Sequence, residues 1–198
     1  MTKLDRTHSV ASRLVGLWPI TLLPPWLGVA LLLLPSTGQA QTPQGLEIET
    51  DPIAWALDGF SLHLATQHGP TRLSVGTFGI RVPERFHGNE DWGATMRGAG
   101  VKWDWVGESS SGPFAGLDVG WMRMRYTHDS SARDRVRNEI GLGVRAGTRY
   151  HIGSSGLFVS PWASLSYNPR GGAVSVAESS FEQSRVTIFP TVHIGWSF

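Results

Sequence analysis

Three residues within a dozen positions carry the elements of a nucleophilic site. In "YTHDSS" His128 lies two positions before Ser130, and Glu139 follows nine positions after that serine. A serine hydroxyl attacks well only when a base takes its proton, and the base works best when an acid orients it. A second stretch, "RFHGNEDW", offers His87, Glu90 and Asp91 as imidazole and carboxylate ligands. Short patterns of this kind arise often by chance, and exposed loops are rich in the same residue types. The expectation is therefore no metal, no cofactor and no catalysis, with His128, Ser130 and Glu139 as the catalytic alternative.

A third group is cationic. Arg123, Arg125, Arg133, Arg135 and Arg137 gather around one segment. A planar guanidinium suits bidentate pairing with phosphate, so an anionic headgroup is one reading. A solvated loop partly neutralised by Asp129 and Asp134 is the other.

What must position these residues is read from the pattern around them. The chain starts with Lys3, Arg6 and Arg13, continues into an apolar run densest at "WLGVALLLLP", and then reaches the small residues of "STGQA". That order marks a secretory signal, residues 1–40, with cleavage after Ala40. A spanning helix over 14–34 is the rival, but Pro19, Pro24 and Pro25 interrupt it. Of 17 Lys+Arg and 16 Asp+Glu, the leader holds three and one, which leaves 14 against 15 in residues 41–198. The net charge of that remainder is slightly acidic, so nucleic acid is not an expected partner. The chain has no cysteine, which excludes disulfides and thiolate metal sites.

Beyond residue 40 the dominant period is two. "FSLHLATQ" places Phe60, Leu62 and Leu64 on one face, and "TRLSVGTFGIR" continues with Leu73 and Val75. "ATMRGAGVKWDWV" aligns Val101, Trp103 and Trp105. "PFAGLDVGWMRMRYT" aligns Leu117, Val119 and Trp121, then becomes ambiguous as Met122, Met124 and Tyr126 compete with Arg123 and Arg125; a bulge there would reconcile the two halves. "NEIGLGVRAGTRYHI" alternates cleanly from Ile140 to Ile152, "LFVSPWASLSY" follows, and "RVTIFPTVHIGWSF" closes the chain. Several of these strands are about twice the usual 5–6 residues and meet the ~9–11 needed to cross a bilayer when tilted. Connections alternate between short (68–70, 107–112, 153–156) and long (82–93, 128–137, 169–185), the rhythm of barrels with short turns on one side and long loops on the other.

That gives seven strands, and a bacterial single-chain barrel has an even number. The eighth is expected within 44–56. There "LEIET" alternates, whereas "DPIAWALDG" also reads as a helical turn with Asp51 as cap, Pro52 first and Gly59 as stop. If the helix prevails, the missing strand falls to 169–185, where "AVSV" is strand-like.

With its leader, its alternating strands and an ending in "TVHIGWSF", the chain resembles small bacterial outer-membrane β-barrel proteins. The resemblance implies an all-β fold: a closed antiparallel up-and-down barrel of eight strands, monomeric, in the bacterial outer membrane. Its neighbours would be lipid and lipopolysaccharide, the latter through the five arginines. It also implies that Ile194, Trp196 and Phe198 form a signal read by barrel-assembly machinery. Trp103, Trp105, Trp121, Tyr150 and Tyr167 would join them in aromatic girdles. The His–Ser–acid grouping resembles that of lipid-A-modifying barrel enzymes, without their fuller motifs.

The other parity would face an interior just wide enough for side chains to fill. It holds His63, Lys102, Asp104, Asp118, Glu139, Arg145, Arg149, His151 and His193, with signs roughly balanced. Buried charges must be paired, so a closed, salt-bridged lumen is expected, with a narrow pore as the alternative. His151 and His193 fall toward the same end and are placed to neighbour each other. The functional expectation is a structural or interaction role in the outer membrane.

Overall fold

The computed structural model describes residues 45–82, 91–107 and 110–198. The expected leader and the candidate ligands His87 and Glu90 lie outside the described residues. The elements are β1 (Leu46–Thr50), α1 (Pro52–Ala56), β2 (Phe60–His68), β3 (Thr71–Val82), β4 (Trp92–Trp105), β5 (Gly112–His128), β6 (Arg135–His151), β7 (Leu157–Tyr167), β8 (Gly172–Val176), β9 (Ser179–Gln183) and β10 (Val186–Ser197).

Eight of the strands close an antiparallel barrel in the order β1-β10-β7-β6-β5-β4-β3-β2, and β8–β9 form a separate hairpin. The closure runs through β1, which pairs Glu47 with Ser197 and Thr50 with Ile194 on one side, and Leu46 with Thr66 and Glu49 with His63 on the other. Both readings of the ambiguous segment are therefore right, each for its own half. "LEIET" is the eighth strand. "PIAWA" is one helical turn, capped by Asp51 Oδ1, which accepts from the Ile53 amide at 2.8 Å and the Ala54 amide at 3.4 Å. The strand stops where proline removes the next ladder donor. α1 then sits between β10 and β2, where β1 ends short. Asp51 Oδ2 ties it to β10 by accepting from the Thr191 hydroxyl at 2.7 Å.

The expected bulge in β5 is absent. The β4–β5 ladder runs unbroken from Trp92↔His128 to Trp105↔Ala115, and β5–β6 from Gly112↔Arg149 to Tyr126↔Arg135. Parity is thus kept: Arg123 and Arg125 point outward, while Met124 and Tyr126 point inward and are buried. The apolar inward turn is satisfied by the hairpin, whose Val174 and Val176 pack with Trp92, Met124 and Tyr126, Phe181 adding to the edge. The longest connection therefore folds back into the barrel mouth as a plug.

The polarity of the molecule is inverted. Leu117, Val144 and Trp121 are 52%, 54% and 50% exposed, whereas Arg72, Asp104 and Glu139 are each 1% exposed. Ile194, Trp196 and Phe198 belong to the exposed apolar set, and His193 on the other parity is buried.

Candidate functional site

The lumen is built in two storeys. At the short-turn end, inward residues from five strands form one connected ionic cluster. β3 contributes Arg72, just past the tight turn after β2. Its Nε donates to Glu47 Oε2 at 2.7 Å, its second terminal nitrogen to Glu49 Oε1 at 2.5 Å, and the first lies 3.4 Å from Asp104 Oδ2. Arg149 reaches Glu47 at 3.1 Å and Glu49 at 3.6 Å. Arg145 Nε lies 3.3 Å from Asp104 Oδ1. The other Glu49 oxygen meets His193 Nδ1 at 3.0 Å. Each carboxylate therefore has at least two positively charged or polar partners, the condition for keeping charge out of water.

Aromatic side chains line this cluster from the same inward parity. Arg145 stacks over Trp162 at 4.0 Å and faces Phe114 at 5.2 Å; Arg149 lies over Phe158 at 4.6 Å. A guanidinium above a ring face gains cation–π attraction, most strongly where water is excluded. Lys102 stands 5.2 Å from the Trp162 ring, and its ammonium has no hydrogen-bond partner among the described residues. Asp118, its cross-strand neighbour, accepts from the Ser164 hydroxyl at 3.1 Å.

Glycine makes this density possible at specific points. A Cβ on Gly76 would come within 1.9 Å of His63 Nδ1, and one on Gly116 within 2.4 Å of Asp104 Oδ1. The His63 ring, seated on Gly76, stacks on His193 with centroids 5.1 Å apart. This corrects the expected neighbour of His193. His151 instead meets Ser111 Oγ at 2.9 Å and the Phe158 ring. One strand separates His193 from each of the other two histidines, β1 toward His63 and β7 toward His151; on the β7 side the Phe158 ring takes up the contact with His151.

At the long-connection end the second storey is apolar, with Glu139 as its polar latch. Glu139 accepts from Asn168 Nδ2 at 2.5 Å, Gln183 Nε2 at 3.1 Å and the Tyr126 hydroxyl at 3.4 Å, and Arg137 approaches it at 3.5 Å. Arg137 also donates to the carbonyls of Ala173 and Arg170, and Arg170 returns a bond to the Asn138 carbonyl at 2.7 Å. These bonds fasten the hairpin over the mouth.

The catalytic alternative is not assembled as a unit. Ser130 Oγ meets His128 Nδ1 at 2.8 Å, but the Ser130 amide donates to the same nitrogen at 3.2 Å, so the contact is a local turn motif. Glu139 is engaged by the hairpin residues. The arginine group also divides: Arg137 serves the hairpin, Arg125 pairs with Asp134 on the surface, and Arg123 faces outward. Glu47, Glu49 and Arg72 are central to the lumen yet were not among the expected inward residues. The parity opposite Leu73 and Val75 marks Arg72, and that opposite Ile48 marks both glutamates.

No family model matches the chain, and no curated protein does. Two solved structures are similar in outline. The N-terminal β-barrel domain of Pseudomonas aeruginosa OprF has a TM-score of 0.46 at 11% identity and covers 81% of this chain and 100% of that one. Neisserial surface protein A (NspA) has a TM-score of 0.45 at 15% identity, over 77% of this chain and 93% of the other.

Proposed function

We propose that the chain is an integral β-barrel of the bacterial outer membrane with a structural or interaction role and a lumen closed at both levels. The observation that carries this reading is the inverted polarity. Large apolar side chains are exposed around the wall, from Leu62 (48%) on β2 through Leu142 (50%) on β6 to Ile188 (55%) on β10, while the charged side chains of the lumen are buried. In water such a continuous apolar belt is an aggregation liability. In a bilayer it is the required surface, and a closed ladder satisfies the backbone without an edge. The two-storey filling of the interior supports a closed barrel over a pore.

Membrane fractionation tests the reading. The expected result is recovery with outer membranes and a gel migration that shifts when the sample is boiled. Recovery in the soluble periplasmic fraction would overturn it. Reconstituted barrel is expected to leave planar bilayers silent, and lipid A mass spectra are expected to be identical with and without the chain.

A further inference from the structure

The strands of the barrel turn four charged side chains (Asp, Glu, Lys or Arg) outward among the described residues, and all four are arginines on neighbouring strands. Arg81 is on β3, Arg97 on β4, and Arg123 and Arg125 on β5; each is exposed. The register arranges them in two consecutive outward rows. Arg97 lies directly opposite Arg123, and Thr95 separates Arg81 from Arg125 in the next row. Directly opposed like charges destabilise a sheet. Among the described residues Arg125 is paired with Asp134, while Arg81, Arg97 and Arg123 have no ion-pair partner there.

Beneath the cluster the wall carries a groove of about 630 Å³, lined by Leu62, Val75, Ala99, Val119 and Trp121. On β4 and β5 it begins at the next outward position, because Ala99 follows Arg97 and Trp121 precedes Arg123 by two residues. Two strand residues span ~7 Å. Cations at the long-connection end therefore sit immediately above an apolar trough that runs toward the middle of the wall.

We infer that this face binds lipopolysaccharide, with a phosphate of its lipid A held between Arg97 and Arg123 and an acyl chain laid in the groove. The inference rests on the outer-membrane reading. Charge complementarity selects the occupant. Among the described residues four guanidinium groups face one carboxylate, an excess of three positive charges. A zwitterionic phospholipid has no net charge to offset them, whereas a phosphate monoester carries close to two negative charges. Bound there, the anion turns the Arg97–Arg123 repulsion into a shared bidentate clamp.

The test uses the full barrel folded in detergent, titrated with purified lipid A, phosphatidylethanolamine, phosphatidylglycerol and inorganic phosphate in parallel. Lipid A is expected to bind at least about tenfold more tightly than the other three. Arg97→Gln with Arg123→Gln is expected to weaken it by about tenfold or more, since two charge-assisted bonds are lost. Ala99→Phe, which fills the groove and leaves the cations in place, is expected to weaken lipid A as well. Boiling-dependent migration is expected to be unchanged in both variants, which separates lost binding from lost folding. Equal binding of lipid A and either phospholipid, equal binding of free phosphate, or unaltered affinity in the double variant overturns the proposal. Fractionation of the wild type reports separately on the outer-membrane reading.

Discussion

Replacing Arg72 by methionine removes the side chain on which the inner storey converges. The aliphatic stem is kept, so the packing volume changes little, but Glu47 loses a 2.7 Å bond, Glu49 a 2.5 Å bond and Asp104 a contact at 3.4 Å. All three carboxylates are at most 3% exposed and cannot recover the loss by hydration. Breaking a buried pair by removing one partner costs about 3–5 kcal/mol, because the other charge stays behind. Arg149 still reaches both glutamates and Arg145 still reaches Asp104, so the lower end of that range applies. At the usual dependence on denaturant, this lowers the urea midpoint by roughly 1 M or more. The assay is reversible urea unfolding in lipid vesicles, followed by tryptophan fluorescence and by migration without boiling. Glu49→Gln added to Arg72→Met is expected to recover part of the loss, since it removes one stranded charge. A midpoint unchanged by Arg72→Met, or a double variant whose loss is the simple sum of the two singles, would refute the argument that these residues act as one network.

Asp51→Ala removes both the α1 cap and the tie to Thr191, and is expected to cost about 1–2 kcal/mol in the same unfolding assay. Thr191→Val should cost less, because the cap survives it. Glu139→Ala cuts the bonds from Asn168, Gln183 and Tyr126. It is expected to speed cleavage after the exposed Glu178 by a glutamate-specific protease while the barrel stays folded; unchanged protection would count against the latch. Gly76→Ala is expected to destabilise by about 1–3 kcal/mol through the clash with the His63 ring. His63→Ala in the same chain should relieve that clash, and failure to relieve it would place the cost elsewhere.

How far the sequence discloses this arrangement depends on how strongly each residue type announces its face. Leu, Val and Trp in alternation located β2 to β7 and β10 directly, because a period of two commits every second residue to one surface. β1 was hard to place because it is five residues long and runs straight into Pro52 and α1. Glu47 and Glu49 were lost with it. Arg72 was readable, since it lies between the outward positions of β3, but that strand was read for its apolar face. Phe114, Phe158 and Trp162 share parity with glycines and serines, so they too were assignable inward. Alternation does not name their partners; the neighbouring Arg145 and Arg149 explain why they are inside. The hairpin's strand character at "AVSV" was visible. Its packing was not, because alternation within a hairpin does not say which surface it will meet.

Closure of the wall and neutralisation of the lumen are the same event. The seven strands that announce themselves bring Arg72, Arg145, Arg149 and Lys102 inward against Asp104 and Asp118, an excess of cations. β1 supplies Glu47 and Glu49, and those two glutamates take contacts from both Arg72 and Arg149, with His193 added. A strand of five residues makes few ladder bonds and buries little apolar area, so backbone pairing alone holds it weakly. Its two side chains supply what the ladder lacks, because withdrawing β1 would take both carboxylates from Arg149 and leave Arg72 with Asp104 alone. The least conspicuous strand therefore has the strongest electrostatic reason to stay docked, and the barrel seam is fastened from inside.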